Sequence, residues 1–325
     1  MRLSKEEYKQ KAKERTDNLR SSVERFAQSI LDDITGDAAF QKACDYAKLP
    51  HRYSWGNLAL IQMQAPNSAL VCSKTAFDQI AARQGHKLTE FAGKKQHVKI
   101  AKGSTAVYVL AVINVAGTRE NAEGEEVAYA FKTCKGVAVW AAESILYCDT
   151  DTPFEVPTLF ASVDADDATA LWDSLTAFAE AKNITVGQTV LHLGHDGSSY
   201  GGHIEVRNGD VAGAVHPLIH ELAHELLHPL ADRGKERDRE LACKMAEAEA
   251  ESVASCVLRT LGYDTATSAS YLRSYKCTPH DVTRSLDRIV GAAQEIITWL
   301  REGKLIEKKG QPTEEEGKGT AEMAA

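Results

Sequence analysis

A chain of 325 residues is long for a single core, so two domains are the default expectation. A composition of 43% hydrophobic and 26% charged residues excludes a disordered or membrane-embedded chain. The opening MRLSKEEYKQKAKERTDNLR is too charged for a secretory signal. The longest apolar run, 105–115, is interrupted by Asn114 and is far too short for a bilayer, so a cytoplasmic protein with no membrane partner is expected. Seven cysteines with no CxxC pair argue against a disulfide framework and against a thiolate zinc cluster. The net charge of −8 is uneven: residues 51–110 carry 8 basic and 2 acidic side chains, whereas 151–325 carry 17 and 29. Such asymmetry suggests different partners for the two halves, with a nucleic-acid footprint as one reading of the basic stretch.

Residues 3–48 read as helical, with Leu19, Val23, Phe26 and Ile30 at helical spacing. Ser54 is placed to cap a helix through Leu58, Ile61 and Gln64 that stops at Pro66. A short helix follows Ser73, with Phe77, Ile80 and Ala81 on one face and Gly85 as terminator. HVKIAKGSTAVYVLAVI reads as two strands about a Lys102–Gly103 turn, and the EGEE around Gly124 as a second turn before a strand at 127–131. Residues 151–157, rich in Pro and Thr, read as a linker. Beyond it come an amphipathic helix over 164–182 and short strands at 189–193 and 203–207 flanking a Gly/Ser-rich turn. Helices then run to Arg301, and the tail from Lys308 has no apolar periodicity. The expectation is an α+β chain of two domains: 1–155 (α+β), 156–303 (mainly helical with a small sheet), and a disordered tail at 304–325.

The chemistry lies in His216-Pro217-Leu218-Ile219-His220-Glu221-Leu222-Ala223-His224-Glu225-Leu226-Leu227-His228. Its apolar residues recur at i, i+3, i+4 and i+7, so this HExxH motif lies on a half-buried helix. Residues four apart share a face, which lets His220 and His224 address one ion, with Glu221 beside them to reach a water on that ion. A catalytic zinc takes three protein ligands. His228 is two helical turns from His220, about 12 Å by helix rise, and is unsuitable. The segment Glu247-Ala248-Glu249-Ala250-Glu251 supplies the third: Glu247 as ligand, Glu251 as the acceptor that orients a ligand histidine, with Glu251 or Glu249 as alternative ligands. Zn2+ suits two imidazoles and a carboxylate best, with Mn2+ or another divalent ion also compatible. In this gluzincin-like arrangement Glu221 is the catalytic base, and Tyr200 or His203 is the candidate oxyanion stabiliser.

HELAHELLH followed by EAEAESVA, SASYLRSY and SLDRIVGAAQEII resembles the ImmA/IrrE-like zincin domain of ArdC-type antirestriction proteins. RYSWGNLALIQMQAPNSALV resembles the ArdC-like single-stranded-DNA-binding domain, in which a Tyr-Ser-x-x-Asn helix precedes a Gln-x-Pro turn. The resemblance spans most of 1–301. It implies a mobile-element protein that protects incoming DNA, binds single-stranded DNA through its first domain and holds a metal through His220, His224 and Glu247. Single-strand binders pair a basic groove with aromatic platforms. Arg52, Tyr53, Trp55, Lys94, Lys95, Lys99, Lys102 and Tyr108 supply both ingredients. Two other readings stand beside this one: a regulatory metallopeptidase that cuts a repressor, its peptide or protein substrate unspecified, and a non-enzymatic DNA-binding protein with structural zinc.

Overall fold

The computed structural model describes residues 4–32, 36–48, 53–120, 126–156, 168–191, 196–229, 239–263, 265, 269–274 and 276–302. The first helix, α1 (Lys5–Ile30), opens on a capping box in which Ser4 N donates to Glu7 and Glu7 N donates to the Ser4 hydroxyl. A second helix, α2 (Gly36–Asp45), returns across it. The approach is close at Gly36, where a Cβ would stand 2.3 Å from the Ile30 carbonyl oxygen, so only glycine fits. The Ser54 cap starts α3 (Trp55–Gln64), as its sequence predicts.

Residues 70–154 then build a β-rich lobe. Its elements are β1 (Val71–Cys72), α4 (Lys74–Arg83), β2 (Thr89–Phe91), β3 (Lys94–Gln96), β4 (Val98–Ile100), β5 (Val107–Glu120), β6 (Glu126–Ala141) and β7 (Ile145–Tyr147). The two strands expected about Lys102–Gly103 are present as β4 and β5, and Gly103 has φ +87°. They do not pair with each other. β4 pairs with β7, and β5 pairs with β6 in the order β1-β6-β5. β6 is also much longer than the five residues its alternation suggested, because its pairing with β5 extends over both strands. The base of this hairpin packs on α3, where Val107, Val109 and Val139 join Ile61 in a small core. Two amides of α3 occupy the outer edge of β5: Asn57 exchanges two hydrogen bonds of 2.8 Å with Leu110, and Gln64 exchanges two of 2.9 Å with Tyr108. Side-chain amides thus satisfy backbone groups that an edge strand would leave open. A second small core unites α4, β4 and β7, with Phe77, Val98, Ile145 and Tyr147 buried. Phe154 is buried there too, so the first part of the expected linker belongs to this lobe.

The remaining elements are α5 (Ala168–Ala181), β8 (Thr185–Thr189), β9 (Gly197–Ser199), β10 (His203–Arg207), α6 (Val211–Leu227), α7 (Arg239–Thr260), α8 (Ser270–Ser274) and α9 (Pro279–Glu302). The sheet has the order β8-β10-β9, with β8 parallel and β9 antiparallel to β10. The strand expected over 189–193 lies earlier, at β8, and the Gly/Ser-rich turn contains a strand of its own, β9. Gly-Ser-Ser has little strand propensity; pairing with β10 overrides it.

A boundary near residue 155 does not separate two cores. Ala27, Ile30, Phe40, Trp55 and Leu58 from the first three helices share one buried cluster with Leu175, Leu222, Val253, Leu286 and Ile296. Polar ties reinforce it: Trp55 N donates to Asp287 at 2.6 Å, and Arg259 forks onto both oxygens of Asp45. The helical lobe is therefore built from both ends of the chain, with the β-rich lobe inserted in sequence between them. Hydrophobic periodicity marks which face of a helix is buried but not which distant helix covers it. The tail at 304–325 lies outside the described residues. No helix among the described residues is long and apolar enough to cross a membrane.

Candidate metal centre

Asp210 caps α6 by accepting from Gly213 N at 2.6 Å. Leu218, Ile219, Leu222 and Ala223 are fully buried, which fixes the rotation of the helix and turns His220 and His224 toward α7. The Nε2 atoms of the two histidines stand 3.1 Å apart. Glu247 on α7 brings Oε2 to 3.3 Å from His220 Nε2 and Oε1 to 3.5 Å from His224 Nε2. A tetrahedral site with bonds of about 2.0–2.1 Å has ligand–ligand edges of about 3.3–3.4 Å, close to these separations, so the three side chains can turn donors toward one divalent ion. Among the described residues, His220, His224 and Glu247 are the group that can share an ion.

The surroundings complete the arrangement. Glu251 Oε2 lies 3.2 Å from His220 Nδ1, and Oε1 lies 3.2 Å from His216 Nε2. With Nδ1–H donating to Glu251, His220 presents Nε2 toward His224 and Glu247. Burial alone would lower the pKa of His220, but hydrogen bonds to Glu247 and Glu251 override it and raise the value to about 9. Hydrogen bonds to His220 and His224 hold Glu247 well below the usual carboxylate range, and those to His216 and His220 hold Glu251 at about 2. Glu221 behaves in the opposite way: it is 8% exposed, and burial raises its pKa against the opposing pull of His224 and His220. Its carboxylate lies against β9, where a Cβ on Gly197 would come within 2.7 Å of Glu221 Cγ and where the Ser199 hydroxyl hydrogen-bonds it. Gly197 is therefore needed for the space its missing side chain leaves.

Glu249 faces the other side of α7. Only 2% exposed, it accepts from Ser285 at 2.8 Å and pairs with Arg288 and His228. This removes Glu249 and His228 as ligands. Of the two oxyanion candidates, His203 is on the wrong face of the sheet. Ile204 and Val206 point inward and pair with Ser199 and Gly197, so alternation turns His203 outward, where Nδ1 meets the Thr185 hydroxyl at 2.6 Å. The Tyr200 ring is half-exposed and stacks near His203, with centroids 6.3 Å apart.

No family model matches the chain, and no curated protein matches its sequence. Among solved structures, the fold is similar to the metal-free crystal structure of the antirestriction protein ArdC from plasmid R388. The TM-score is 0.47 at 17% identity, covering 86% of this chain and 96% of that one. The Mn(II)-bound structure of the same ArdC protein gives a TM-score of 0.40 at 18% identity, covering 80% of this chain and 96% of that one.

The residues singled out for single-stranded DNA are scattered. Arg52 lies outside the described residues. Trp55 is fully buried against Phe26, with ring centroids 5.6 Å apart, and offers no face to a base. Its helix buries that side against α1 and α9, and large aromatics stabilise most when buried. Tyr53 is partly buried against two of the cores, and burial raises its pKa. Lys94, Lys95 and Lys102 are exposed, whereas Lys99 pairs with Asp151 and lies over the Phe91 ring. Tyr108 instead lines a shallow groove of about 470 Å³ between α1 and β5, together with Lys11, Glu14, Arg15, Asn18, Leu19, Ser22 and Gln64. Arg15 sits 4.1 Å above the Tyr108 ring there. Direct packing of α1 on the β5–β6 hairpin, where Gly136 N donates to the Thr16 hydroxyl, brings these elements together.

Proposed function

We propose that the chain is a divalent-metal hydrolase of the HExxH peptidase type with an antirestriction role. The observation that carries the enzymatic part is the convergence of His220, His224 and Glu247 at ligand-edge distances, with Glu221 buried beside them. Zn2+ is the proposed ion, held by those three residues, and when bound it would polarise a peptide carbonyl and acidify water. Glu221 takes the proton from the attacking water and delivers it to the leaving amine, a role suited to a carboxylate whose burial raises its proton affinity. Glu251 keeps His220 in the tautomer that leaves Nε2 free. Among the described residues β9 is one of the two edges of its sheet, the one beside Glu221, and an extended peptide pairing with that edge passes this carboxylate.

The decisive experiment measures metal content of the purified protein, then hydrolysis of a fluorogenic peptide library with and without chelator. The expected result is about one zinc per chain, bound by wild type and by Glu221→Gln alike. The variant should lose about 10²–10⁴-fold in kcat. Manganese in place of zinc would correct the ion. Undiminished turnover in Glu221→Gln would end the role of Glu221. Metal binding with no hydrolysis of any peptide or repressor-type protein would favour a structural ion.

The antirestriction role rests on the sequence resemblance of the HELAHELLH and RYSWGNLALIQMQAPNSALV segments. Binding of single-stranded DNA has a specific observation in its favour, the groove in which Arg15 covers Tyr108 beside Lys11. A cation over an aromatic face with one further basic group beside it, Lys11, suits a stacked base and its phosphate, with Glu14 as the opposing charge in the same groove. Fluorescence anisotropy with a labelled oligonucleotide should show affinity falling steeply with salt and weakening in Arg15→Ala and Tyr108→Ala. No binding at low salt would leave the regulatory-peptidase reading in its place.

A further inference from the structure

Glu225 follows the second histidine of the motif and lies one turn after Glu221, on the same face of α6. Its two carboxylate oxygens accept from two successive backbone amides, Gly201 N and Gly202 N, each at 2.8 Å. These glycines form the turn between β9 and β10 with φ of +77° and +94°, a conformation other residues adopt only with strain. The turn is held from the other side as well, since Thr185 N on β8 donates to Gly202 O at 3.0 Å. Two carboxylates of one helix face thus bear on one strand and its turn. Glu221 touches β9 at Gly197 and Ser199, and Glu225 grips the residues that follow.

Resting on the peptidase reading, we propose that Glu225 is a positioning residue. By clamping the Gly201–Gly202 turn to the HExxH helix, it fixes the separation of the β9 edge from the metal ligands and so sets where a substrate strand lies against Glu221. Charge-assisted hydrogen bonds to both oxygens make the clamp stiffer than the short β9–β10 pairing alone. Only three β9 residues pair with β10, so the Glu225 hydrogen bonds add a direct tie between the turn and α6 that this pairing does not supply. The clamp touches neither His220, His224 nor Glu247, so its loss leaves the donor set intact.

The test uses the full chain loaded with zinc and two probes in calorimetry: acetohydroxamate, which needs only the ion, and a succinyl-tripeptide hydroxamate, which also needs the strand edge. Wild type should bind the peptidyl probe more tightly than acetohydroxamate. Glu225→Ala should weaken the peptidyl probe about tenfold or more while acetohydroxamate and zinc affinities stay unchanged. Glu225→Gln, which keeps one acceptor oxygen, should fall between them. It also serves if the alanine variant does not fold. Hydrogen exchange over 197–203 should rise in Glu225→Gln while α6 stays protected. Wild-type affinity for the peptidyl probe in both variants would overturn the positioning role with the peptidase reading intact. Equal affinity of wild type for the two probes, or no zinc binding, would overturn that reading itself and the clamp's role with it.

Discussion

Glu247 and Glu249 are two residues apart on α7 and meet opposite surroundings. The Glu247 side chain is 66% exposed and faces two imidazoles, whereas Glu249 is 2% exposed and is enclosed by Ser285, Arg288 and His228. An alternation of Glu and Ala on a helix places successive carboxylates about 200° apart, so EAEAE supplies two faces with different tasks. The open face has donors whose protons an ion can displace. The closed face has a fixed ion network that ties α7 to α9, and through Arg288 to the Leu227 carbonyl at the end of the motif helix. Similar residue types thus make an exchangeable site on one side and a structural lock on the other. The difference is whether the carboxylate meets its partners beside solvent, as Glu247 meets two imidazoles, or enclosed beneath a guanidinium, an imidazole and a hydroxyl, as Glu249 does.

That contrast can be broken from either side. The largest effect is expected from Glu249→Ala, which strands Arg288 and His228. Chemical denaturation of the metal-free protein should show a loss of about 3 kcal/mol, near the low end for a broken buried pair because Arg288 retains water contact. Glu247→Gln should cost less of that stability, because the side chain is 66% exposed, yet weaken zinc by at least about a hundredfold, read by competition with a chelating dye, since one of three ligands is lost. Equal stability losses in the two variants would erase the distinction between the faces. Glu251→Gln should cost about 10–100-fold in metal affinity, as loss of an outer carboxylate on a ligand histidine does.

The smallest effect is in pH dependence. His220 in the metal-free protein is raised from 6.5 to about 9, so its contribution to stability is complete below pH 6.5 and is lost as pH rises through 9. Glu251 is lowered to about 2, so its contribution is present above pH 4.5 and is lost as pH falls through 2. Melting temperature of the metal-free protein should therefore decline from pH 6.5 to 9. Zinc should remove the decline, because an ion rather than a proton then holds the cluster together. A flat profile without metal would place His220 outside the cluster.

Much of this was legible in advance. Ser54 and Ser73 with the apolar residues after them marked α3 and α4, and Leu171, Leu175 and Phe178 marked α5, because capping chemistry and helical period are local properties. The motif placed His220, Glu221 and His224 on a helix for the same reason. Strand partners were less accessible: the alternation in β4 and β5 suggested a hairpin, while the chain pairs each with a different strand. Period two fixes which residues share a face but carries no information about the neighbour. Trp55 likewise reads from sequence as either a core residue or a stacking platform, and the packing of α1 and α9 around it decides for the core.

The sequence by itself determined the helix that carries two histidines and a glutamate one turn apart, because the 3.6-residue period leaves no other arrangement of HELAH on an amphipathic segment. Helical spacing already set Glu247 apart from Glu249, with Glu247 the expected ligand, but tertiary structure decided which of the two faces meets the histidines, that Gly197 leaves room for Glu221, and that Glu225 holds the neighbouring turn. These depend on how α7 and β9 pack against α6, a long-range choice made by the buried cores that no local spacing encodes.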